Sequence, residues 1–235
     1  MKSRMRETGG ATGKGVAKKR ILLVDDHPLV GKGLGTLLNT TRDLAICAEA
    51  GTVQEATRLI AQESPDLVIL DISLPGVSGL ELLKDIHVCN PDLPVLVLSM
   101  HEESVYAERV LRAGAKGYIM KQEPGATVIE AIRSVLAGNL YMSPNLVSRM
   151  LKVFVSNGAS EAPKKSGPEA LNDRELQVYT LIGNGFTTKE IAAQLNLSPK
   201  TVQTYREHIK RKFGLRKANE LVHVATQWVK NGPSL

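Results

Sequence analysis

The sequence predicts an α/β chain in two parts: a doubly wound, five-stranded parallel sheet, then a separate all-α domain of four helices. Three observations carry that expectation. Short apolar runs alternate five times with helix-length amphipathic segments over residues 20–142. From residue 171 onward no strand-like run occurs. The charge also changes sign: residues 21–142 carry nine basic and sixteen acidic side chains, and residues 143–235 carry fourteen basic and seven acidic. An acidic half joined to a basic half points to two domains with different partners, the basic one suited to polyanions such as nucleic acid.

The elements follow in order. Residues 1–19 are rich in Gly, Lys and Arg with no hydrophobic period, and read as a disordered basic tail. A solvated extension is the plain reading of it, and a nonspecific DNA-touching arm the other. The runs 21–24, 67–70, 95–98 and 117–120 are apolar throughout, as strands buried on both faces are, and 44–50 is a less pure fifth. Between them lie helical patterns at about 28–40, 53–63, 79–90, 103–113 and 125–138. Alternation of this kind closes into a parallel sheet with right-handed crossovers. Residues 143–168 break the rhythm and read as a partly helical linker, with a helix from Ser143-Pro144 to about Val155 and then Ser/Gly/Pro/Lys-rich chain. Four short helices are expected at about 172–183, 188–195, 199–213 and 217–231, within a domain spanning 169–235.

At 235 residues the chain can hold two modest domains, each with its own core. Its 43% hydrophobic and 23% charged residues exclude collagen-like, disulfide-scaffold and wholly disordered classes. No run of about 18 apolar residues occurs, so no membrane-spanning helix and no membrane partner is expected. The basic start lacks the apolar stretch of a secretory signal. Cys47 and Cys89 read as buried free thiols of a cytoplasmic protein, with a disulfide or reactive thiol as the other reading.

Four of the strand ends carry Asp25 and Asp26, Asp71, Ser99 and Lys121. In a doubly wound sheet such ends converge on one rim. Three carboxylates gathered there repel one another and call for a cation. An all-oxygen site that keeps several waters suits Mg2+, and no zinc-type Cys/His spacing is present. Lys121 adds an organic cation and Ser99 a hydroxyl donor. The set reads as a holder for a phosphoryl group, with a carboxylate as the nucleophile. A lone strand-end Asp is ordinarily a helix cap or a solvated loop residue, a reading that five such groups at four strand ends resist. His27 and His101 read as helix-start and loop residues. Gly31, Gly33 and Gly35 lie inside the first helix pattern and none directly follows the strand, which argues against dinucleotide binding.

Residues 20–142 resemble the receiver domain of two-component response regulators, which has a flavodoxin-like fold. The resemblance rests on Ile21-Leu22-Leu23-Val24-Asp25-Asp26-His27-Pro28, on Leu70-Asp71-Ile72-Ser73-Leu74-Pro75-Gly76-Val77-Ser78-Gly79, on Leu98-Ser99-Met100-His101 and on Ala113-Gly114-Ala115-Lys116-Gly117-Tyr118-Ile119-Met120-Lys121. It implies that Asp71 accepts a phosphoryl group from a sensor histidine kinase. It further implies that Asp26, Asp71 and the Ser73 backbone carbonyl bind Mg2+ directly, and Asp25 through a water. Ser99 and Tyr118 match the two switch positions. Gln122 departs from the pattern, since many receivers have proline there after a cis peptide.

In the basic half, residues 187–195 form a short amphipathic pattern, Asn196-Leu197 a turn, and Ser198-Pro199 a good start for the next helix. That helix places Val202, Ile209 and Phe213 on one face and Thr201, Gln203, Thr204 and Glu207 outward. A helix, a tight turn and a basic polar helix make a helix-turn-helix. Residues 170–232 resemble the LuxR-type helix-turn-helix of the NarL/FixJ family, through Leu171-Asn172-Asp173-Arg174-Glu175, Thr188-Lys189-Glu190-Ile191-Ala192, Leu197-Ser198-Pro199-Lys200-Thr201-Val202 and Ala218-Asn219-Glu220-Leu221-Val222. The resemblance implies that the helix after Ser198 enters the DNA major groove and that the last helix dimerises, through Glu220, Leu221 and Val224. Lys189, Lys200, Thr201, Arg206, Lys210 and Arg211 are candidates for phosphate contacts, with Thr188 and Ser198 beside them. Gln203, Tyr205 and Glu207 depart from the residues common at their positions. Gln203 suits adenine and Glu207 cytosine.

The expectation is therefore a cytoplasmic, phosphorylation-switched, dimeric DNA-binding transcription regulator that acts on a roughly palindromic operator. RNA polymerase enters as a candidate partner. Phosphorylation is expected to favour dimerisation or to free a DNA-binding domain covered by the receiver, and the opposite net charges of the two domains are expected to attract. A constitutive DNA binder is one alternative. An aspartate-nucleophile phosphohydrolase is another, disfavoured because Ser73 stands where such enzymes place a second catalytic acid.

Overall fold

The computed structural model describes residues 17–74, 78–100, 103–144, 146–148 and 167–231. Five strands, β1 (Lys19–Val24), β2 (Leu44–Ala50), β3 (Leu67–Leu70), β4 (Val95–Ser99) and β5 (Gly117–Met120), form one sheet in the order β2-β1-β3-β4-β5. All neighbours are parallel. They alternate with α1 (Pro28–Asn39), α2 (Val53–Glu63), α3 (Gly79–Cys89), α4 (Glu103–Arg112) and α5 (Gly125–Leu136). The period-2 alternation of each strand sorts its side chains between two cores. Ile21, Leu23 and Ile69 pack with Leu34, Leu38, Val128 and Ile132 of α1 and α5. Leu22, Val24, Val68 and Leu70 pack with Ile60, Leu83 and Val110 of α2, α3 and α4. Each such side chain contributes roughly 1.5–3 kcal/mol by leaving water, which is why pure apolar runs become inner strands.

Helix starts follow local chemistry. Thr52 caps α2 by accepting from the Glu55 N–H, and Ser78 caps α3 by accepting from the Leu80 N–H. After β5, Tyr141 extends the sheet edge: the Tyr118 N–H donates to its carbonyl (3.1 Å) and its own N–H to Lys116 (2.9 Å). Residues 144 and 146–148 are helical. The remainder of the helix expected to Val155, the Ser/Gly/Pro-rich linker that follows it, and residues 1–16 lie outside the described residues.

A 3-10 turn (Gly167–Ala170) leads into four helices, α6 (Asp173–Gly183), α7 (Thr188–Gln194), α8 (Pro199–Phe213) and α9 (Ala218–Asn231). Both α6 and α7 open with a capping box, Asn172 with Glu175 and Thr187 with Glu190. Tyr179 of α6 holds the domain's centre, edge-on to Phe213 at 5.1 Å and tilted against Trp228 at 5.3 Å. Burial pushes the pKa of its phenol up to about 12.

Helix α6 also touches the sheet domain. Asp173 pairs with Arg109 of α4 (3.1 Å) and Lys84 of α3 (3.3 Å). The Arg109 guanidinium also donates to the carbonyls of Pro168 (3.2 Å) and Glu169 (3.3 Å). The expectation that opposite net charges join the domains fails locally, because here the acidic domain supplies the cations and the basic domain the acid. The cysteines also differ from expectation. Both are free, but Cys89 is exposed as the last residue of α3, and Cys47 is only half-buried.

Candidate functional site

The strands are parallel and the order of strand addition reverses between β1 and β3, so the carboxyl ends of β1, β3, β4 and β5 lie side by side. Asp25 and Asp26 leave β1, Asp71 leaves β3, Ser99 ends β4 and Lys121 follows β5. The Asp71 N–H donates to Val24 (2.8 Å) and the Lys121 N–H to Ser99 (2.8 Å), which locks these ends together through the backbone. Lys121 Nζ lies 2.6 Å from Asp25 Oδ2 and 2.8 Å from Asp71 Oδ2, and all three side chains are nearly out of solvent. The other Asp71 oxygen accepts from the Ser73 N–H at 3.0 Å.

Burial pushes the Asp71 carboxyl above the ordinary carboxylate range, against the opposing pull of Lys121. Burial opposes the Lys121 charge as well, but the Asp71 and Asp25 carboxylates outweigh it and hold the ammonium above its usual pKa. Ser99 and Tyr118 are both fully buried, and the Tyr118 hydroxyl is hydrogen-bonded to the Ser99 side chain.

One neighbour was not among the expected site residues. His27 is the N-cap residue of α1, as its position predicts, yet its Nδ1 lies 2.8 Å from Asp26 Oδ1 and 3.0 Å from Asp25 Oδ1. Oxygens of Asp25, Asp26 and Asp71 and a ring nitrogen of His27 fall within 4.8 Å of one another. The only sequence signal for this was adjacency to the acidic pair. His101 lies outside the described residues.

The donor set fits a hard divalent cation. The Lys121 ammonium pairs with the buried Asp25 and Asp71 carboxylates, and the half-exposed Asp26 adds a third beside them, which leaves excess negative charge that a cation would offset.

The second cluster is on α7 and α8. Ser198 accepts from the Thr201 N–H at 3.0 Å, with Pro199 in the first turn, and Asn196 takes a left-handed φ of 53° in the tight turn between the helices. Lys189, Ser198, Lys200, Gln203, Thr204, Glu207 and Arg211 are exposed, whereas Thr188, Thr201, Arg206 and Lys210 are half-buried. Gln203 donates to Glu207 (3.1 Å), which also pairs with Lys210 (2.8 Å). Lys212 instead turns inward to the buried Glu175 carboxylate at 2.5 Å, tying α8 to α6. On α9, Glu220 accepts from the Arg216 and Lys217 N–H groups, and Val224 is half-buried. Leu221 is 0% exposed, inside the domain's own core, so it cannot meet a second copy as expected; Val222, 40% exposed, is the apolar side chain on the outer face.

Comparison with known proteins covers the regions that carry both clusters. Residues 21–133 match the response regulator receiver domain, and residues 169–225 match the luxR family of bacterial regulatory proteins. The oxygen regulatory protein NreC of Staphylococcus carnosus (strain TM300) is 37% identical over 208 residues, 88% of this chain and 96% of that protein. NreC of Staphylococcus aureus (strain MRSA252) has the same identity and coverage, 37% over 208 residues. A solved LuxR-family two-component response regulator from Aurantimonas sp. SI85-9A1 is 36% identical, with a TM-score of 0.55 over 59% of this chain and 99% of that one. The RcsB response regulator of Salmonella typhimurium, at 24% identity, shares the fold with a TM-score of 0.65 over 89% of this chain and 98% of that one.

Proposed function

This chain belongs to the two-component response regulators of the LuxR family, and on that premise we propose that phosphorylation of Asp71 by a sensor histidine kinase controls its binding to DNA as a transcription regulator. The observation that carries the reading is the Lys121 ammonium bridging Asp71 and Asp25 at the buried rim of the sheet. We read residues 20–142 as the receiver, 143–168 as the linker and 169–235 as the effector domain.

The chemistry follows from the side chains. A carboxylate oxygen of Asp71 attacks the phosphorus of the kinase phosphohistidine. The P–N bond breaks, the imidazole leaves with its electron pair, and an acyl phosphate forms on Asp71. Lys121 neutralises charge on the phosphoryl oxygens and Ser99 donates a hydrogen bond to one of them. Mg2+ would be held by Asp26, Asp71 and the Ser73 carbonyl, with Asp25 acting through a water, and when bound it offsets charge on the transferring group. Because Tyr118 is hydrogen-bonded to Ser99, a demand on the Ser99 hydroxyl is passed to Tyr118 and the face around β5. The acyl phosphate carries up to about two negative charges where the carboxylate carried one, and adds acceptor oxygens, a change able to shift a population between two arrangements.

On the effector side, Gln203 and Glu207 are the base readers and the exposed Lys189, Lys200 and Arg211 position the phosphate backbone, with Arg206 and Lys210 at its margin. The reading face of α8 is exposed while α6 is in contact with the receiver. That supports dimerisation of the two-domain unit, rather than uncovering of α8, as the output of the switch. A dimer pairing through the outer face of α9, with Val224 and Val222, reads two half-sites and so a roughly palindromic operator, with RNA polymerase as a further contact. We read its work as cytoplasmic, where DNA and a kinase donor are both at hand; among the described residues no helix is long and apolar enough to cross a membrane. We read the chain as no enzyme toward outside substrates, since the Ser73 side chain cannot act as a second catalytic acid.

The test is incubation with Mg2+ and acetyl phosphate, with intact mass and oligomeric state recorded together. Uptake of one phosphoryl group, with a rise in dimer, is expected for the wild type and neither for Asp71→Asn. Equal uptake by the variant would remove Asp71 from the role.

A further inference from the structure

Helix α6 of the effector domain reaches the segment that carries the phosphorylation site. Gln177, 6% exposed in the middle of α6, donates from Nε2 to the Ile72 carbonyl (3.3 Å) and to the Ser78 Oγ (3.3 Å). Ile72 directly follows Asp71, and Ser78 caps α3. The two acceptors stand at opposite ends of the stretch that holds Ser73. The Gln177 amide oxygen meanwhile accepts from Arg174 (2.9 Å), so the amide orientation is fixed by chemistry: a carbonyl can only accept, and the nitrogen must face it. A buried amide with its donors and acceptor satisfied is specific in geometry, because any displacement strands a polar group out of water.

Two further contacts put Gln177 in register. One helical turn earlier Asp173 is held by Arg109 and Lys84, and one turn later Thr180 faces the buried Tyr106 of α4. Positions 173, 177 and 180 share one face of a helix. On the receiver side the backbone of Asp71 and Ile72 is closely packed. A Cβ on Gly79 would lie 2.3 Å from the Asp71 carbonyl oxygen and 2.7 Å from the Ile72 Cα, so the start of α3 already rests on the Asp71 backbone.

We propose that Gln177 is a positioning residue of the phosphorylation site: from the effector domain it holds the Ile72 carbonyl, next to Asp71, and the Ser78 hydroxyl at the start of α3, and so raises the site's affinity for its divalent cation. The inference rests on the reading of Asp71, Asp26 and the Ser73 carbonyl as the cation's ligands. With Gln177 in place, carboxylate oxygens of Asp25, Asp26 and Asp71 stand within 4.8 Å of one another, close enough for Asp26 and Asp71 to share a cation and Asp25 to reach it through a water. Partners beyond the ligands hold ligand geometry, and their loss typically lowers metal affinity by about 10- to 100-fold. Gln177 acts through backbone, one step further out, and its loss is expected to cost about 3- to 10-fold. Linkage makes the effect reciprocal: the cation strengthens contact between the domains by the same factor.

The experiment titrates the full-length chain with Mg2+ by calorimetry, comparing wild type with Gln177→Met, which keeps the side-chain length but has no donor. In parallel, the rate of phosphoryl uptake from acetyl phosphate is followed against Mg2+ concentration. The expected result is weaker Mg2+ binding and a matching rise in the half-saturating Mg2+ concentration, with the same plateau rate. Affinity that is unchanged or increased overturns the proposal. So does a lower plateau at an unchanged half-saturation, the mark of a partly unfolded sample. If Gln177→Met does not fold, Asp173→Lys decides: it sets a cation against Arg109 and Lys84, separates α6 from the receiver, and is expected to weaken Mg2+ binding in the same way. A wild type that takes up no phosphoryl group under any Mg2+ concentration would overturn the phosphoacceptor reading, and the calorimetry would still decide the role of Gln177.

Discussion

Asp71 sits in a conflict that its own environment defines. Burial raises its pKa and Lys121 lowers it, and burial wins. The folded chain therefore holds this proton more tightly than the unfolded chain. The carboxylate costs nothing when both states are protonated and costs stability as pH rises above its unfolded pKa. Asp71→Asn removes that cost, so at pH 7 the variant should unfold about 3 °C higher, the equivalent of about 1 kcal/mol, and the gap should narrow on acidification toward pH 4. Calorimetric scans at both pH values check this; a variant less stable than wild type at pH 7 would mean that the Lys121 pairing outweighs burial. Asp25, Asp26, Asp71, Ser99 and Lys121 were legible because they stand where apolar runs stop, and the parallel fold brings those stops together; Ser73 and Tyr118 were legible only through the family resemblance. His27 and Gln177 were not legible. A histidine after two acids has an ordinary reading as a helix start, and a glutamine in mid-helix shows in sequence only as one more polar side chain.

At the scale of elements, the strands and helices follow from period and caps. Runs such as 67–70 and 95–98 have no polar side to offer water, so they become inner strands, and Thr52, Asn172, Thr187 and Ser198 mark helix starts where side-chain oxygens meet free N–H groups. The strand β1 begins at Lys19, two residues before the apolar run 21–24, because the Lys19 N–H donates to the Asp43 carbonyl (2.7 Å) while its ammonium pairs with Asp66 at 2.8 Å. What the pattern did not show is how α6 is covered. Its residues Glu175 to Gly183 are all buried, one face against α8 and α9 and the other against the receiver, so no single stripe reports its neighbours. Gly183 marks the closest approach: a Cβ there would lie 2.5 Å from the Ala225 carbonyl oxygen and 2.4 Å from Val229 Cγ2. Gly183→Ala must push α9 away from α6, and should cost the effector domain about 1–3 kcal/mol, as overpacking of a tight contact does. Urea unfolding followed by the fluorescence of Trp228, which packs on Tyr179 from α9, reads this directly. An unchanged midpoint would show that the two helices separate freely.

For the whole molecule, composition gave two domains of opposite charge, but net charge says nothing about which groups touch. The contact is made against the overall sign, with Arg109 and Lys84 of the acidic receiver on Asp173 of the basic effector. It is also incompletely packed: a cleft of about 470 Å3 remains between α3, α4 and α6, lined by Leu80, His87, Val88, Arg109 and Asp173. Such a contact is held by a few directional bonds more than by area, and a few bonds are easily lost. Arg109 makes three of them, to Asp173, Pro168 and Glu169, with its guanidinium largely out of solvent. Removing it leaves Asp173 with Lys84 alone, a more exposed pair that salt screens. Arg109→Ala should therefore let the domains separate, seen as a larger radius of gyration in small-angle scattering. Raising salt to 0.5 M should widen the variant further than the wild type, whose buried amide and hydroxyl contacts are indifferent to ionic strength. Affinity for a DNA site should hold for the variant's effector domain, because the reading face of α8 is open in either arrangement. Scattering that is the same for variant and wild type at both salt levels would mean that Gln177 and Tyr106 hold the domains without Arg109, and the burden of the contact would then rest on the same residues that reach the phosphorylation site.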